Sequence, residues 1–297
     1  MKHIPVLLKE TVDALNLKDG DVVLDGTLGG GGHTEEIVKR MGDKVKIIGL
    51  DLDKDALKRA DDRLAILPHD TNFVVSNFQD ADNVLDKLNI IHIDSVMLDL
   101  GISSFQLEVA GRGFSFMKDE PLLMTMKKNP DDEDITARDI VNTWKEETIA
   151  DIIYAYGEEK YARKIARAIV AHRAIKSFET TKDLSDVVVE TVGRAYGRLK
   201  IHPATKTFQA LRIAVNSELA SIEKAIPMIF NRLKSGGRMA IISFHSLEDR
   251  IVKQAFKKLI DEGMASGITK KPITPSTEEL KDNPRSRSSK LRIIQKI

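Results

Sequence analysis

The chain of 297 residues contains no cysteine. Disulfides, thiolate metal sites and cysteine nucleophiles are therefore excluded. Long apolar runs are also missing: nothing approaches the roughly 18 residues needed to span a bilayer. The opening "MKHIPVLLKE" returns to charge before an apolar signal core could form, so the compartment expected is the cytoplasm, with no membrane partner. Net charge is nearly absent too. At +1 overall, attraction to a polyanion has to come from local patches. The seven histidines are scattered and the paired acidic residues lack ligand spacing, so no metal is expected. There is no internal repeat.

What is present divides the chain into parts. The first hundred residues alternate β-type runs, "DVVLDGT", "VKIIGLDLD", "NFVVSNF" and "IDSVMLDLG", with helical patterns. Near-continuous Val/Ile/Leu strands separated by helices imply a parallel sheet covered on both faces. From about residue 110 the strand signals stop, and helical segments such as "EEKYARKIARAIVAHR" take over, with Gly157 and Gly197 placed as stops. A long helical stretch with a possible break at Pro227, a strand "RMAIISF", a helix capped by Ser246 and an edge strand "KLRIIQKI" complete the chain. The fold expected is α/β and Rossmann-like: a mostly parallel sheet ending in an antiparallel hairpin, with core parts 1–109 and 213–297 and an inserted helical domain 110–212. "NPRSRSSK" is expected to be a loop.

The loop "DGTLGGGGH" hands the first strand over to a helix, the position where open α/β sheets bind ligands. No Gly-Lys-Ser/Thr follows, which excludes a phosphate-binding P-loop. Thr34 stands where a dinucleotide fingerprint needs its third glycine, which counts against a nicotinamide oxidoreductase. The remaining D-x-T-x-G-x-G pattern is similar to the first motif of S-adenosylmethionine-dependent methyltransferases. Asp51, at the end of the second strand, offers two oxygens to two ribose hydroxyls; its other reading is a helix cap.

A closer resemblance follows from "DGTLGGGGH", "DLGISSFQLE", "RGFSF", "GEEKYARKIARAIV", "KIHPATKTFQALRIAVNSEL", "GGRMAIISFHSLEDRIVK" and "NPRSRSSKLR", in that order. Together they resemble the ribosomal RNA small-subunit methyltransferase H family, also called MraW, over nearly the whole chain. The resemblance implies an S-adenosylmethionine-dependent enzyme that methylates N4 of one cytidine in the decoding region of 16S ribosomal RNA, on naked RNA or the small subunit, as a monomer or homodimer. By position it implies cofactor contacts at Gly31, Gly32, His33, Asp51, Phe78, Asp99 and Gln106. From residue chemistry alone Phe78 could equally be core, and His33 could simply pack against the helix it begins.

After "RGFSF" the family reads Pro-Leu-Asp-Met-Arg-Met, whereas this chain has Leu123 and Thr125 in place of Asp and Arg. Joint loss of a pair leaves no lone charge behind. It also keeps a non-enzymatic RNA-binding protein in view as a rival reading.

For chemistry on an exocyclic amine, acceptors are wanted beside the N–H groups, and "DLGISS" offers Asp99, Ser103 and Ser104. The alternative is that Asp99 only binds cofactor and the serines only shape the turn. His245, at a strand end, is a further catalytic candidate with a structural alternative. Between Lys160 and Arg212 about a dozen Lys and Arg face four acidic residues. Arg163, Lys164, Arg167 and Arg173, joined by Arg285 and Arg287, are the expected RNA contacts; a solvated stripe is the other reading of such a run.

Overall fold

The computed structural model describes residues 4–297 apart from 104, 106, 108–110, 129, 131–132 and 198–200. It forms two compact units, one made of Met1–Gly101 with Leu219–Ile297, the other of Ile102–Glu218.

The first unit is built on a seven-stranded sheet of order β3-β2-β1-β4-β5-β7-β6. Its strands are β1 (Val22–Asp25), β2 (Lys46–Asp51), β3 (Asp70–Val75), β4 (Ile93–Asp99), β5 (Leu233–Ser243), β6 (Ala265–Gly267) and β7 (Lys290–Lys296). The first five run parallel; β7 is antiparallel to β5 and to β6, which gives the expected antiparallel end. Side-chain alternation explains why the central residues of β1, β2 and β4, covered on both faces, are nearly all apolar. Leu24, Ile48, Leu98 and Ile241 enter one core, beneath α4 (Ala81–Lys87), α10 (Glu218–Arg232) and α11 (Ser246–Asp261). Their neighbours Val23, Ile47, Met97 and Ala240 enter the other, with α1 (Leu8–Leu15), α2 (Gly32–Met41) and α3 (Lys54–Leu64).

Four local features depart from the sequence reading. The "KLRIIQKI" strand, β7, is not at the edge, because the short β6 pairs along its outer side. Pro227 does not interrupt α10, because Ile222, Ala225, Ile226, Ile229 and Phe230 around it are all buried in one core, and packing outweighs the lost hydrogen bond. β5 starts earlier than "RMAIISF", at Leu233, and passes through a register shift against β4 at Gly236 and Gly237. The "NPRSRSSK" segment contains a 3-10 turn, Pro284–Ser288, following the short helix α12 (Thr277–Asp282), with Ser286 and Ser289 buried.

The second unit is helical: α5 (Ala137–Thr143), α6 (Glu146–Gly157), α7 (Ala162–Arg173), α8 (Thr181–Tyr196) and α9 (Thr205–Asn216). Thr136 with Asp139 and Thr180 with Asp183 form capping boxes that start α5 and α8. Its own core gathers Ile140, Ile153, Ile165, Phe178, Val188 and Leu211. The departing segment Pro121–Met126 is held through its backbone groups, the Arg112 guanidinium donating to the Met126 carbonyl at 2.9 Å. Met124 N–H donates to the Arg112 carbonyl at 2.7 Å, and Asn216 brackets the segment, donating to the Met124 carbonyl at 2.7 Å and accepting from Met126 N–H at 2.8 Å. Thr125 is buried and accepts from Lys127 N–H at 3.2 Å, while Leu123 accepts from Ala137 N–H at 2.9 Å through its carbonyl.

Candidate active site

In the first unit the strand order reverses between β1 and β4, and the glycine loop lies at the carboxyl ends of these strands, the switch point where open α/β sheets take ligands. Hydrogen bonds from the loop's N–H groups stitch it to two neighbouring strands, β4 and β2. Gly26 N–H donates to the Met97 carbonyl at 3.1 Å and Leu28 N–H to the Leu50 carbonyl at 2.9 Å. Gly29 N–H donates to Asp51 Oδ2 at 2.8 Å. Gly31 then turns the chain into α2 with a φ of 71°, and a Cβ there would fall 2.9 Å from that of Ala60. Only glycine serves both demands. Beside it, no atom of the described residues beyond the chain neighbours lies within 4 Å of where a Cβ on Gly30 would be.

Four carboxylates gather around this loop. Asp25, 1% exposed, accepts from Thr27 N–H at 3.2 Å and from the Thr34 hydroxyl at 2.7 Å. Burial still lifts its pKa to about 6. Asp51 accepts from Gly29 and from Asp53 N–H at 2.8 Å, and burial raises its carboxyl as well. Asp99 ends β4. Its N–H donates to Thr27 Oγ1 at 2.6 Å, but Oδ1 is shut off from solvent and has no hydrogen-bond partner among the described residues. Burial first, then the charges of Asp25 and Glu248, push its carboxyl up to about 8. Glu248, 1% exposed, accepts from Phe244 N–H at 2.7 Å through Oε2.

Asp25, Asp51 and Asp99 each lose water and meet like charge, relieved in part at Asp51 by Arg59; this is costly for the folded chain on its own. The arrangement suits a ligand that brings positive charge and hydrogen-bond donors. A pyrophosphate would add to the repulsion.

His33 is buried on the first turn of α2, with Nε2 3.0 Å from the Val6 carbonyl and Nδ1 3.9 Å from Asp99 Oδ2. Gly32 faces Pro5, and a Cβ on it would come within 2.4 Å of the proline ring. Phe78 is half-buried at the end of the β3 connection, its Cβ 3.2 Å from where a Cβ on Gly26 would sit. Gly31, Gly32, His33, Asp51, Phe78 and Asp99 thus gather around one loop.

His245 is the N-cap of α11, the role expected of Ser246: its Nδ1 accepts from Glu248 N–H at 3.4 Å, and Nε2 lies 3.2 Å from Glu248 Oε1. Ser103 is half-buried in the second unit, its carbonyl accepting from Leu107 N–H at 3.1 Å. Ser104 and Gln106 lie outside the described residues. Asp25, Thr27 and Glu248 are the site members that sequence reasoning passed over. The D-x-T spacing was the available signal for the first two; Glu248 gave none.

The basic residues separate into two kinds. Arg163 and Arg167 are exposed on α7, Arg167 having its Nε 3.7 Å from Glu146 Oε1. Lys164 is exposed but donates to the Thr191 carbonyl at 2.7 Å, and half-buried Arg173 donates to the Val141 carbonyl at 2.9 Å. Arg285 and Arg287 are exposed on the 3-10 turn. No helix among the described residues is long and apolar enough to cross a membrane.

Comparison with known proteins gives a match to the MraW methylase family over residues 1–297. A ribosomal RNA small subunit methyltransferase H of Clostridium botulinum (strain Kyoto / Type A2) is 46% identical, over 100% of this chain and 99% of that protein. The protein of the same name in Clostridioides difficile (strain 630) is 45% identical, over 99% of each. Among solved structures, an rRNA methylase from Streptococcus thermophilus aligns with a TM-score of 0.46 at 12% identity, over 98% of this chain and 93% of that one.

Proposed function

The chain belongs to the MraW methylase family, and from that premise we propose that it transfers a methyl group from S-adenosylmethionine to the N4 amine of one cytidine in the decoding region of small-subunit ribosomal RNA. The observation that carries the reading is the half-buried Asp99 carboxyl, one oxygen without a partner among the described residues, at the end of β4 beside the glycine loop. The name shared by the relatives points to the RNA, and the ordered sequence blocks point to the nucleotide.

The residues fit the cofactor. Asp51 holds acceptor oxygens for the ribose, Gly29 to Gly32 let the backbone close on the amino-acid end, and Phe78 offers an apolar face to the adenine. The carboxylate cluster compensates the sulfonium charge. When bound, S-adenosylmethionine supplies an electrophilic methyl whose bond to sulfur breaks as the new N–C bond forms, the electron pair returning to sulfur.

What the protein does follows from the weakness of the nucleophile. The cytosine amine delocalises its lone pair into the ring, so an acceptor must draw on its N–H while the methyl arrives. Asp99 is that acceptor: its side chain keeps 24% exposure, and its Oδ1 has no donor among the described residues. As a carboxylate it takes the proton released by the amine, and much of the acceleration comes from alignment of the reacting atoms. His245 and Glu248 brace the start of α11. In the second unit the exposed cations Arg163 and Arg167 meet RNA phosphates, with Arg285 and Arg287 of the first unit doing the same. Lys164 and Arg173, tied to carbonyls, add charge to that surface at a fixed position. The target base has to be turned outward to reach the methyl.

The test is transfer of labelled methyl to unmodified 16S RNA and to small subunits, followed by nucleoside analysis. N4-methylcytidine on either substrate is expected. No label on either, with the donor shown to bind, would replace this reading with a binding protein that keeps a cofactor pocket.

A further inference from the structure

Glu279, on α12, reaches a segment almost a whole chain away. Its Oε1 accepts the backbone N–H of Leu7 at 2.8 Å, and nearby Asn283 Nδ2 donates to the Ile4 carbonyl at 3.1 Å. Two polar bonds thus fasten residues 4–7 to the C-terminal part of the first unit. Leu7 is wholly buried and holds a φ of 50°, the left-handed region that a leucine adopts only when its surroundings impose it. The strap is held in one conformation.

Its other face lies on the start of α2. Pro5 closes over Gly32, and the Val6 carbonyl meets His33 Nε2 at 3.0 Å. A carbonyl can only accept, so Nε2 carries a proton. Nδ1 is then left to face Asp99 Oδ2 at 3.9 Å, a distance for an ion pair, which a movement of about 1 Å would turn into a direct hydrogen bond. Two other charged groups act on Asp99, Asp25 from β1 and Glu248 from α11, and both are negative. His33 brings the opposite tendency to the same carboxyl.

We propose that His33 is a positioning residue for Asp99: the strap of residues 4–7, clamped by Glu279 and Asn283, fixes the tautomer and direction of the ring, and the ring fixes the direction and proton of the carboxyl. This inference rests on the reading of Asp99 as the acceptor for the substrate amine. A ring protonated on Nδ1 pairs with the Asp99 carboxylate, and a neutral ring accepts from the carboxylic acid, so the two groups share one titrating proton. The pair can thereby present an oxygen ready to accept at neutral pH, despite the burial and like charges around Asp99.

The experiment is nitrogen NMR of the His33 ring in the full-length protein without donor, in wild type, Asp99→Asn and a Glu279→Ala/Asn283→Ala double variant. The wild-type neutral ring is expected as the Nε2–H tautomer. Its midpoint is expected to fall by about one pH unit in Asp99→Asn, since an opposite charge nearby favours the charged ring. The double variant is expected to show a mixture of tautomers. A midpoint unmoved by Asp99→Asn would overturn the proposal, as would a Nδ1–H tautomer in wild type.

A second pair of variants separates positioning from packing. In His33→Gln the terminal amide reaches the Val6 carbonyl but leaves nothing at the Nδ1 position. Its melting temperature is expected to stay near wild type, while the pH midpoint of single-turnover transfer moves by about one unit. A wild-type pH profile in His33→Gln would reduce His33 to an anchor and sink the proposal. Failure of the acceptor reading has a different signature: full turnover by Asp99→Asn, with the ring coupling intact.

Discussion

The capping carboxylates of the helical unit and the strand-end carboxylates of the α/β unit stand in opposite conditions. In the helical unit Asp139 and Asp183 sit at helix starts, each accepting backbone N–H bonds in a capping box. For Asp183, burial works against the charge, but the Lys176 ammonium and the Glu179 and Thr180 N–H groups more than offset it and hold the carboxyl below its usual range. In the α/β unit Asp25, Asp51 and Asp99 are all raised by burial. Carboxylates that stabilise a fold find donors within it; those kept for a ligand remain under strain until the ligand arrives. The difference marks where the chemistry lies.

The largest effects should come from breaking the strained set. Asp99→Asn is expected to lower methyl transfer by about 10²–10⁴-fold, the usual weight of a positioned acid or base, with S-adenosylmethionine still bound. The same change should stabilise the protein. The folded state binds more protons at Asp99 than the unfolded chain between pH 4 and about 8, so stability falls as pH rises through that window. Asn removes the loss, and at pH 8 the variant should gain about 1–3 kcal/mol in denaturant unfolding. An unchanged or lower stability at pH 8 would mean that the carboxyl is not under strain.

A smaller effect is expected from Arg163→Glu with Arg167→Glu, on the exposed face of α7. RNA affinity should fall by about tenfold or more near 0.1 M salt, and the dependence of log affinity on log salt should lose about two units of slope. Donor affinity should not move. Equal RNA binding would return this face to the role of a solvated stripe. The smallest effect is Thr180→Ala, which removes one capping box and should cost about 1 kcal/mol of stability, without altering donor affinity at the other unit.

Much of this contrast was legible in the sequence. The windows "DVVLDGT" and "VKIIGLDLD" hold β1 and β2 because unbroken apolar runs between glycine and charge suit strands covered on both faces. The glycine loop, Asp51 and Asp99 were visible because a ligand-binding loop in this fold is continuous with a strand end. Glu248 was not, since its place beside Asp99 depends on β4 and β5 pairing across a long stretch of chain. The cap of α11 was misread because Ser is the commoner capping residue and His245 does the work here. β6, only Ala265–Gly267, is too short to leave a pattern. Leu123 and Thr125 read as the loss of a charged pair, whereas the backbone of their segment is held by the Arg112 carbonyl and by the Arg112 and Asn216 side chains, which composition does not display.

The most direct test of the central claim, that strained carboxylates at the strand ends are built for a cationic donor, is the ratio of affinities for S-adenosylmethionine and S-adenosylhomocysteine, measured calorimetrically from pH 6 to 9. Both ligands carry the same amine, so the ratio isolates the sulfonium. Preference for S-adenosylmethionine should grow as pH rises through about 8 and Asp99 ionises. A ratio that stays constant across that range would contradict the account.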